Sequence, residues 1–273
     1  MNKDIFYNDL HIHTNRSFCS PAEVVPETYA PFCEEEGIKV IGISNHVYPT
    51  EWLRDRGLEN ETSLSRVATL REDIDNATKN TGIKYLLGCE LDNFEAAGGP
   101  FIKPEESAVF DYMLFPASHI LNWPHMFSDY DLTDPNVIRK LTIERFIAAC
   151  ELDYPVPVGI CHPLYPICSN DQKEIVDGIS DSCLKELFSM AKEKDYSIEI
   201  HASLYRNGTP LNKEGLSETY LRVLDAAKSC GCKFHFGSDA HAPGAFVGVH
   251  DKLRRAAEIL GITADDMWEI TKI

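Results

Sequence analysis

The chain has 273 residues, which one large α/β domain can fill, and no composition shift, low-complexity run or repeat divides it, so we predict a single domain over residues 1–273. Its formal net charge of -17 is spread along the chain, which disfavours nucleic acid and anionic membranes as partners and favours a small substrate. The sequence contains no apolar signal segment or membrane-length run, and its nine cysteines mostly lie in apolar patterns, so we expect a cytoplasmic protein with reduced thiols.

Apolar runs of strand length alternate with segments of helical periodicity, which is the pattern of βα units around a parallel sheet. Strands are predicted at 6–13, 39–46, 84–90, 112–119, 156–162, 197–201 and 233–239. Helices are predicted at 25–37, 63–80, 136–152, 180–194, 216–230, 249–260 and 264–271, with Trp268 packed in the core. Three long connections, 47–61, 91–110 and 120–135, follow strand ends, where α/β proteins build their sites, and are predicted to wall a pocket.

The first predicted strand carries the sequence Asp9-Leu10-His11-Ile12-His13. Because strand side chains alternate, we expect Asp9, His11 and His13 on one face and the two apolar residues on the other. Two imidazoles would then point the same way at the end of a strand. Such a pair alone is weak, so its meaning depends on where the later strands end.

Each later strand ends close to a potential metal ligand, and these are His46, Glu90, His119, His162, His201, Asp239 and His241. In a closed parallel barrel the carboxyl ends of all strands meet at one rim, so these side chains would crowd together. Without a cation, that many imidazoles and buried carboxylates would lack partners. Mixed imidazole and carboxylate ligands suit Zn, Fe or Mn rather than a structural zinc site. The strand ends therefore predict a polynuclear metal site.

The ordered motifs His-x-His-Thr, Asn-His, Gly-Cys-Glu, Ser-His, Cys-His-Pro and Gly-Ser-Asp-Ala-His resemble those of the PHP (polymerase and histidinol phosphatase) family, from Asp9 to about Phe246. The resemblance implies a distorted (β/α)7 barrel, similar to a TIM barrel, that acts on phosphate esters with two or three divalent metal ions at its carboxyl rim. It assigns the first ion to His11, His13, Glu90 and Asp239. Glu90 would also contact a second ion held by His119 and His162, and a third ion would be held by His46 and His241.

Two positions depart from the family pattern. The third ion normally has a further His or Asp ligand where this chain has Phe18 and Cys19, so either Cys19 ligates as a thiolate or the third site is weak or empty. The family also tends to have Asp before the second-strand histidine. Here Asn45 stands at that position, and it could orient its neighbour His46 without a charge.

The stretch after the sixth strand, 199–206, is similar to one in the histidinol-phosphatase branch of the family. That similarity implies that Arg206 binds the substrate phosphate, because a guanidinium fork can bind two oxygens at once; a solvated loop arginine is the alternative. Glu199 and His201 share a face with the predicted ligands. His201 either orients a ligand, donates a proton to the leaving group, or is itself an extra ligand.

The predicted activity is hydrolysis of a small phosphate monoester, histidinol phosphate or similar, by a hydroxide that bridges two of the ions. Three divalent ions against two carboxylates would give the site a formal charge of about +4. No side-chain nucleophile is expected, because the neighbours Ser118 and His119, and likewise Cys161 and His162, should point to opposite strand faces. A metal-dependent amidohydrolase is one alternative, although no predicted strand ends in the Lys that such enzymes use. A non-catalytic PHP-like binding domain is the other.

Overall fold

Seven parallel strands pair in chain order around a nearly closed barrel, which confirms the predicted distorted (β/α)7 architecture. The computed structural model describes residues 7–48, 55, 57, 63–92, 102–122, 124–205 and 209–272. The strands are β1 (Asn8–Ile12), β2 (Val40–Ile43), β3 (Lys84–Glu90), β4 (Tyr112–Pro116), β5 (Val158–Cys161), β6 (Ser197–His201) and β7 (Lys233–Gly237). Backbone bonds from His13 to Ala240 and from Asp239 to His11 join the carboxyl ends of β1 and β7.

Helices on the outside cover the barrel. They are α1 (Ala30–Glu36), α2 (Leu64–Ala68), α3 (Leu70–Thr81), α4 (Pro135–Glu151), α5 (Gln172–Asp177), α6 (Asp181–Glu193), α7 (Glu218–Ser229), α8 (Pro243–Phe246) and α9 (His250–Ile259). Short 3-10 turns lie at Pro26–Tyr29, Pro104–Val109, Pro124–Phe127, Ala202–Leu204, Ala264–Asp266 and Glu269–Thr271. Within the described ranges, no helix has the length and apolar character needed to cross a bilayer.

The prediction of a helix at 264–271 is wrong, because this segment forms two 3-10 turns separated by extended backbone. Met267 bridges Phe234 in β7, and the Trp268 N–H donates to the Phe234 carbonyl. Pairing with the strand buries both Met267 and Trp268, so the core position predicted for Trp268 is confirmed. Of the three connections predicted to wall a pocket, 47–61 and 91–110 lie largely outside the described residues.

The Tyr112 ring fills the barrel interior below the strand ends. It passes over Gly42 and Gly88, whose missing side chains leave the space that the ring occupies. Its hydroxyl donates to the Leu10 carbonyl at 2.5 Å, and the Trp268 ring meets it edge-on at 6.2 Å. The buried cluster around it consists of Leu10, Val40, Leu114, Cys161 and Trp268. The floor of the barrel is therefore apolar, and the polar side chains collect above it.

A β-bulge in β1 changes the direction of its side chains. Asp9 pairs with Ile41 and Ile12 with Ile43, so β1 carries one extra residue between these pairs. The Asp9 carboxylate accepts hydrogen bonds from the backbone N–H groups of His11 and Ser238, both at 3.1 Å. Its other oxygen faces α9, away from the barrel axis. The prediction that Asp9 shares a face with the two histidines is therefore wrong, because it assumed an unbroken strand.

His250 at the start of α9 lies between two carboxylates and is fully buried. Its Nε2 is 2.8 Å from Asp9 Oδ2, and its Nδ1 is 3.4 Å from Glu36 Oε2. Burial alone would lower the pKa of His250, but the hydrogen bonds to Asp9 and Glu36 raise it above its ordinary value. Only the protonated ring can donate to both acids, so a charged His250 holds α1 and α9 against the bulge in β1.

Gly88→Ala is expected to reduce the free energy of unfolding by about 3 kcal/mol, because the added Cβ would overlap the buried Tyr112 ring. Urea unfolding measures the loss. Gly244→Ala is the control, since a Cβ at that position would meet open space. Adding Tyr112→Leu to the Gly88→Ala protein removes the overlap, so the double variant should lose less than the sum of the single losses. Additive losses would contradict this account of the barrel floor.

His250→Gln is expected to reduce the free energy of unfolding by about 3 kcal/mol at acidic pH, because Asp9 loses its charged partner in a buried site. Since the folded-state pKa of His250 is raised, its stabilisation is complete below about pH 6.5 and declines as pH rises through the folded-state value. Urea unfolding of both proteins across pH measures the difference. Arg255→Gln, an exposed change on the same helix, should show no such trend, and a difference that grows with pH would rule out a charged His250.

Candidate metal centre

Glu90 is the central carboxylate of a buried cluster at the carboxyl ends of the strands. Its Oε2 lies 3.3 Å from His11 Nε2, 3.4 Å from His13 Nε2 and 3.1 Å from His46 Nδ1. Asp239, after β7, adds a second carboxylate whose Oδ1 is 3.6 Å from His11 Nε2 and 3.3 Å from His13 Nε2. The donor atoms of His11, His13 and Asp239 lie within 4.8 Å of one another, close enough to hold one ion.

The other Glu90 oxygen faces a second group of imidazoles. Oε1 is 2.9 Å from His162 Nε2 and 3.5 Å from His119 Nε2, and these three side chains form another potential metal site. His162 has a φ of 30°, which ends the strand alternation, and Cys161 Sγ also lies 3.7 Å from Oε1. The prediction that Cys161 and His162 point to opposite faces is therefore wrong. Ser118 Oγ lies 2.9 Å from His162 Nδ1 and directs Nε2 towards Glu90.

A third group forms where the segment after β1 turns back over the strand ends. The donor atoms of His13, Cys19, His46 and His241 lie within 4.8 Å of one another. The rings of His13 and His241 stack with their centroids 4.2 Å apart. Burial and the nearby Glu90 raise the pKa of the Cys19 thiol to about 12, so the thiol keeps its proton when no cation is bound. The structure thus brings together all eight residues predicted as ligands, and Cys19 with them.

Asp92 is a buried carboxylate that our sequence analysis did not single out. Its Oδ1 lies 2.9 Å from His119 Nδ1, and its Oδ2 accepts a hydrogen bond from the Tyr48 hydroxyl at 3.1 Å. The contact fixes the His119 ring so that Nε2 faces Glu90. Asp92 follows Glu90 by two residues, so the alternation of a strand continued past Glu90 would have indicated it.

Glu199 in β6 orients the first-strand histidine in the same way, and it lies on the face predicted for it. Its Oε1 is 2.7 Å from His11 Nδ1, and its Oε2 accepts the backbone N–H of His162 at 2.5 Å. Burial alone would raise the pKa of Glu199, but His11 and His201 hold it at about 2. Gly237 makes this position possible, since a Cβ there would overlap the Glu199 carboxylate. Glu199 therefore stays ionised behind the cluster.

The protonation of the cluster suits divalent cations. Burial lowers the pKa of His13, His46 and His162, so these rings are neutral and offer lone pairs near neutral pH. Burial opposes ionisation of Glu90 and Asp239, but the surrounding imidazoles hold both pKa values well below their usual range. Several buried ring nitrogens at the rim have no hydrogen-bond partner among the described residues, including His11 Nε2, both nitrogens of His13, His46 Nδ1 and His201 Nε2. Ring nitrogens that lack hydrogen-bond partners and lie next to ionised carboxylates are typical of a metal centre.

The charge at the rim differs from the predicted value. The carboxylates within or directly behind the cluster are the buried Glu90, Asp92 and Glu199 and the partly exposed Asp239, whereas the prediction counted only Glu90 and Asp239. Three divalent cations would then leave a formal charge of about +2 rather than about +4. Any attraction for an anionic substrate therefore depends closely on how many cations are bound.

His201 at the end of β6 points its Nε2 into the cluster, 3.7 Å from Asp239 Oδ2. Its Nδ1 accepts the backbone N–H of Ser203 at 3.0 Å. In the neutral ring the proton therefore belongs to Nε2, since Nδ1 uses its lone pair on Ser203. The Ser203 hydroxyl also lies 2.8 Å from Nδ1, and His201 forms a further group that could hold a cation with His11 and Glu199.

Two further sequence predictions have different outcomes. Asn45 does not serve its neighbour His46: its side-chain oxygen accepts the Thr14 N–H at 2.8 Å and its amide donates to the Thr14 hydroxyl at 2.9 Å. It ties the ends of β1 and β2 together. Arg206, predicted to bind a substrate phosphate, lies outside the described residues.

No protein-family model matches the chain, and no curated protein matches its sequence. Among solved structures, it is similar to a candidate histidinol phosphatase, HisK, from Listeria monocytogenes, with a TM-score of 0.61 at 15% identity over 88% of this chain and 97% of that one. An archaeal ribonuclease P with mature tRNA gives a TM-score of 0.41 at 12% identity, covering 94% of this chain and 91% of that chain. A zinc-bound amidohydrolase from Burkholderia ambifaria gives 0.36 at 13% identity, covering 88% and 64%. The first likeness shows a shared barrel fold, so the chemistry of this chain has to be argued from its own site.

Proposed function

We propose that this protein is a metal-dependent phosphoesterase that hydrolyses a small phosphate monoester, histidinol phosphate or one like it. The observation that carries the proposal is the position of Glu90, whose two oxygens lie between two groups of buried imidazoles with unpartnered nitrogens. A carboxylate shared in this way suits two neighbouring divalent cations. Zn, Fe and Mn all accept such mixed nitrogen and oxygen ligands.

The chain offers three adjacent ligand groups that share side chains. His11, His13 and Asp239 would hold one cation, His119 and His162 a second with Glu90 between them, and His46 and His241 a third. When bound, the cations would act as Lewis acids on the phosphate oxygens and lower the pKa of a coordinated water. Several cations held at one rim would offset the charge of a phosphate dianion, whereas an amide is neutral and offers a single carbonyl oxygen. A ligand set for more than one cation therefore favours phosphate ester over amide hydrolysis.

The protein contributes positioning rather than a nucleophile. Asp92 and Glu199 hold the rings of His119 and His11 with Nε2 towards Glu90. When His162 offers the Nε2 lone pair to a cation, its Nδ1–H donates to the Ser118 hydroxyl, so His162 cannot also act as a base for Ser118. Cys161 is fully buried, and burial raises its pKa well above the ordinary value, which leaves it a poor nucleophile. Attack on phosphorus is therefore assigned to water.

His201 is placed to protonate the leaving group. Its Nε2–H points into the cluster, and Ser203 fixes the ring through Nδ1. An imidazolium His201, with its Nδ1–H donated to the Ser203 hydroxyl at 2.8 Å, would give its Nε2 proton to the ester oxygen as the P–O bond breaks and become a neutral ring, so no free alkoxide would be released. The ring would regain its proton from solvent after the product leaves, since it is 4% exposed at the edge of the cluster.

The activity is tested with purified protein that has been stripped by a chelator and reloaded with Mn²⁺, Zn²⁺ or Fe²⁺. We expect phosphate release from an aryl phosphate, histidinol phosphate or another member of a monoester panel, lost on stripping and restored on reloading. Glu90→Gln should lose both bound metal and turnover, whereas Glu193→Gln, an exposed change on α6, should lose neither. Elemental analysis and phosphate release are the measurements.

Each result that contradicts the phosphoesterase proposal indicates a different function. Bound metal with no turnover of any monoester would exclude the phosphoesterase, and cleavage of an amide panel by the same preparation would replace it with an amidohydrolase. Absence of bound metal after reloading would favour a binding domain without activity.

His201→Gln is expected to reduce kcat for an alkyl phosphate by about 100-fold or more, because the leaving alkoxide no longer receives a proton. The reduction should be much smaller for 4-nitrophenyl phosphate, whose leaving group needs no proton. Metal content should stay unchanged. Loss of one ion in this variant would make His201 a ligand, and equal losses on both esters would make it a positioning residue.

A further inference from the structure

We propose that Cys19 is a thiolate ligand, so that the outermost cation of the rim is held by one sulfur together with imidazole nitrogens. The inference rests on the proposed function for the presence of cations at this rim. The further step is that the outermost cation position has a sulfur ligand, whereas the other positions have the carboxylates of Glu90 and Asp239. The outermost position would therefore prefer different metal ions.

The geometry assembles a complete donor set around Cys19. The donor atoms of His13, Cys19, His46 and His241 all lie within 4.8 Å of one another. Ligand atoms around a tetrahedral zinc ion are separated by about 3.5 Å, so small side-chain rotations would bring this set to bonding distance. With His13 assigned to the Asp239 position instead, the remaining three residues still leave a site with one open position.

The imidazoles of this group lack partners that a cation would supply. His13 is fully buried, and neither of its ring nitrogens has a hydrogen-bond partner among the described residues. His46 Nδ1 is likewise unpartnered. The His13 and His241 rings stack with their centroids 4.2 Å apart. Imidazole nitrogens beside a thiol are the ligands that a borderline cation binds.

Hydrogen-bonded turns hold Cys19 beside His46. The Ser17 N–H donates to the Thr14 carbonyl, and the Ser20 N–H donates to the Ser17 carbonyl, so the chain turns twice between β1 and Cys19. The Ser17 hydroxyl accepts the backbone N–H of His46 at 3.1 Å, which fixes the segment to the end of β2. The Asn45 contacts with Thr14 secure its start. The position of Cys19 is therefore built by both strands.

Cys161 is the other thiol near the rim, and it is a weaker candidate. Its sulfur shares a possible site with His11 and His162. Its side chain, however, is fully buried among Leu10, Tyr112 and Leu114 on the apolar floor of the barrel, where a charged sulfur would be poorly solvated. Cys19 is only partly buried, and the other potential ligands in its group are imidazoles.

Binding replaces the S–H bond of Cys19 with a sulfur–metal bond, and the proton leaves to solvent; no electron is transferred. A set of one sulfur and two or three nitrogens favours Zn²⁺ or Co²⁺ over Mn²⁺, whereas the oxygen-rich positions at Glu90 and Asp239 accept all of these ions. The rim would therefore bind two kinds of metal ion when both Zn²⁺ and Mn²⁺ are present.

Cobalt reports the sulfur directly. We expect stripped wild-type protein reloaded with Co²⁺ to show a near-ultraviolet sulfur-to-cobalt charge-transfer band. Cys19→Ser should lose the band and one cobalt per chain, and Cys19→Asp should lose the band while keeping the ion. Cys168→Ser is the matched control, because Cys168 is exposed and outside these groups, and it should keep both. A band that survives Cys19→Ser, or that disappears in Cys161→Ala instead, overturns the proposal.

A second measurement needs no variant. Iodoacetamide, given a long incubation at alkaline pH because the Cys19 thiol is protonated near neutral pH, should modify Cys19 in stripped protein and be excluded from it in Zn²⁺-loaded protein, while Cys168 reacts in both, as peptide mass spectrometry would show. Excess Mn²⁺ should leave one Zn²⁺ per chain in the wild type and none in Cys19→Asp. Equal modification of Cys19 in both states, or complete displacement of Zn²⁺ from the wild type, contradicts a thiolate ligand. These measurements do not involve turnover, so they test Cys19 as a ligand independently of the phosphoesterase activity.

Discussion

The interaction on which the rest of the site depends is the contact of the buried Glu90 carboxylate with imidazoles from four other strand ends. A carboxylate removed from water is stabilised only where opposite charge or donors surround it, and here burial is opposed by His46, His11 and His119. A parallel barrel supplies this arrangement because every strand delivers its last residues to one rim. The apolar floor formed around Tyr112 keeps water from reaching the cluster from below. The fold thus gathers buried imidazoles around ionised carboxylates at one rim, and this arrangement can bind cations.

The backbone is strained at two residues of this metal centre. His162 and Asp239 have φ values of 30° and 53°, a region that residues with a Cβ rarely occupy. Tertiary hydrogen bonds hold both: Glu199 accepts the His162 N–H, and the Asp239 N–H donates to the His11 carbonyl. The same Glu199 also orients His11, so a single buried side chain sets both the strain and the direction of a ligand.

The order of the strands and the ligands at their ends could be predicted from the sequence, because both follow from period-two patterns and from the geometry of a closed parallel barrel. The errors fall where tertiary contacts override that pattern. Asp9 turns outward because Ser238 and His250 bind its carboxylate, and Cys161 turns towards Glu90 because His162 leaves the β region. The end of the chain becomes extended because Trp268 pairs with β7. The contacts responsible come from residues distant in sequence: Ser238 and His250 bind Asp9, Glu199 binds the His162 N–H, and Phe234 pairs with Trp268. No local pattern contains them.

The charge of the rim connects the outermost position to the substrate. Two divalent cations would balance the four carboxylates at the rim and leave no net attraction for a phosphate dianion. A third cation, less the charge of a Cys19 thiolate, would leave about one positive charge in a protein whose net charge is otherwise -17. If neutral imidazoles alone held the third cation, the rim would keep about two positive charges. It would then bind the product phosphate more tightly as well as the ester. A thiolate at this position therefore retains the attraction that captures a phosphate while weakening the hold on the phosphate that must leave.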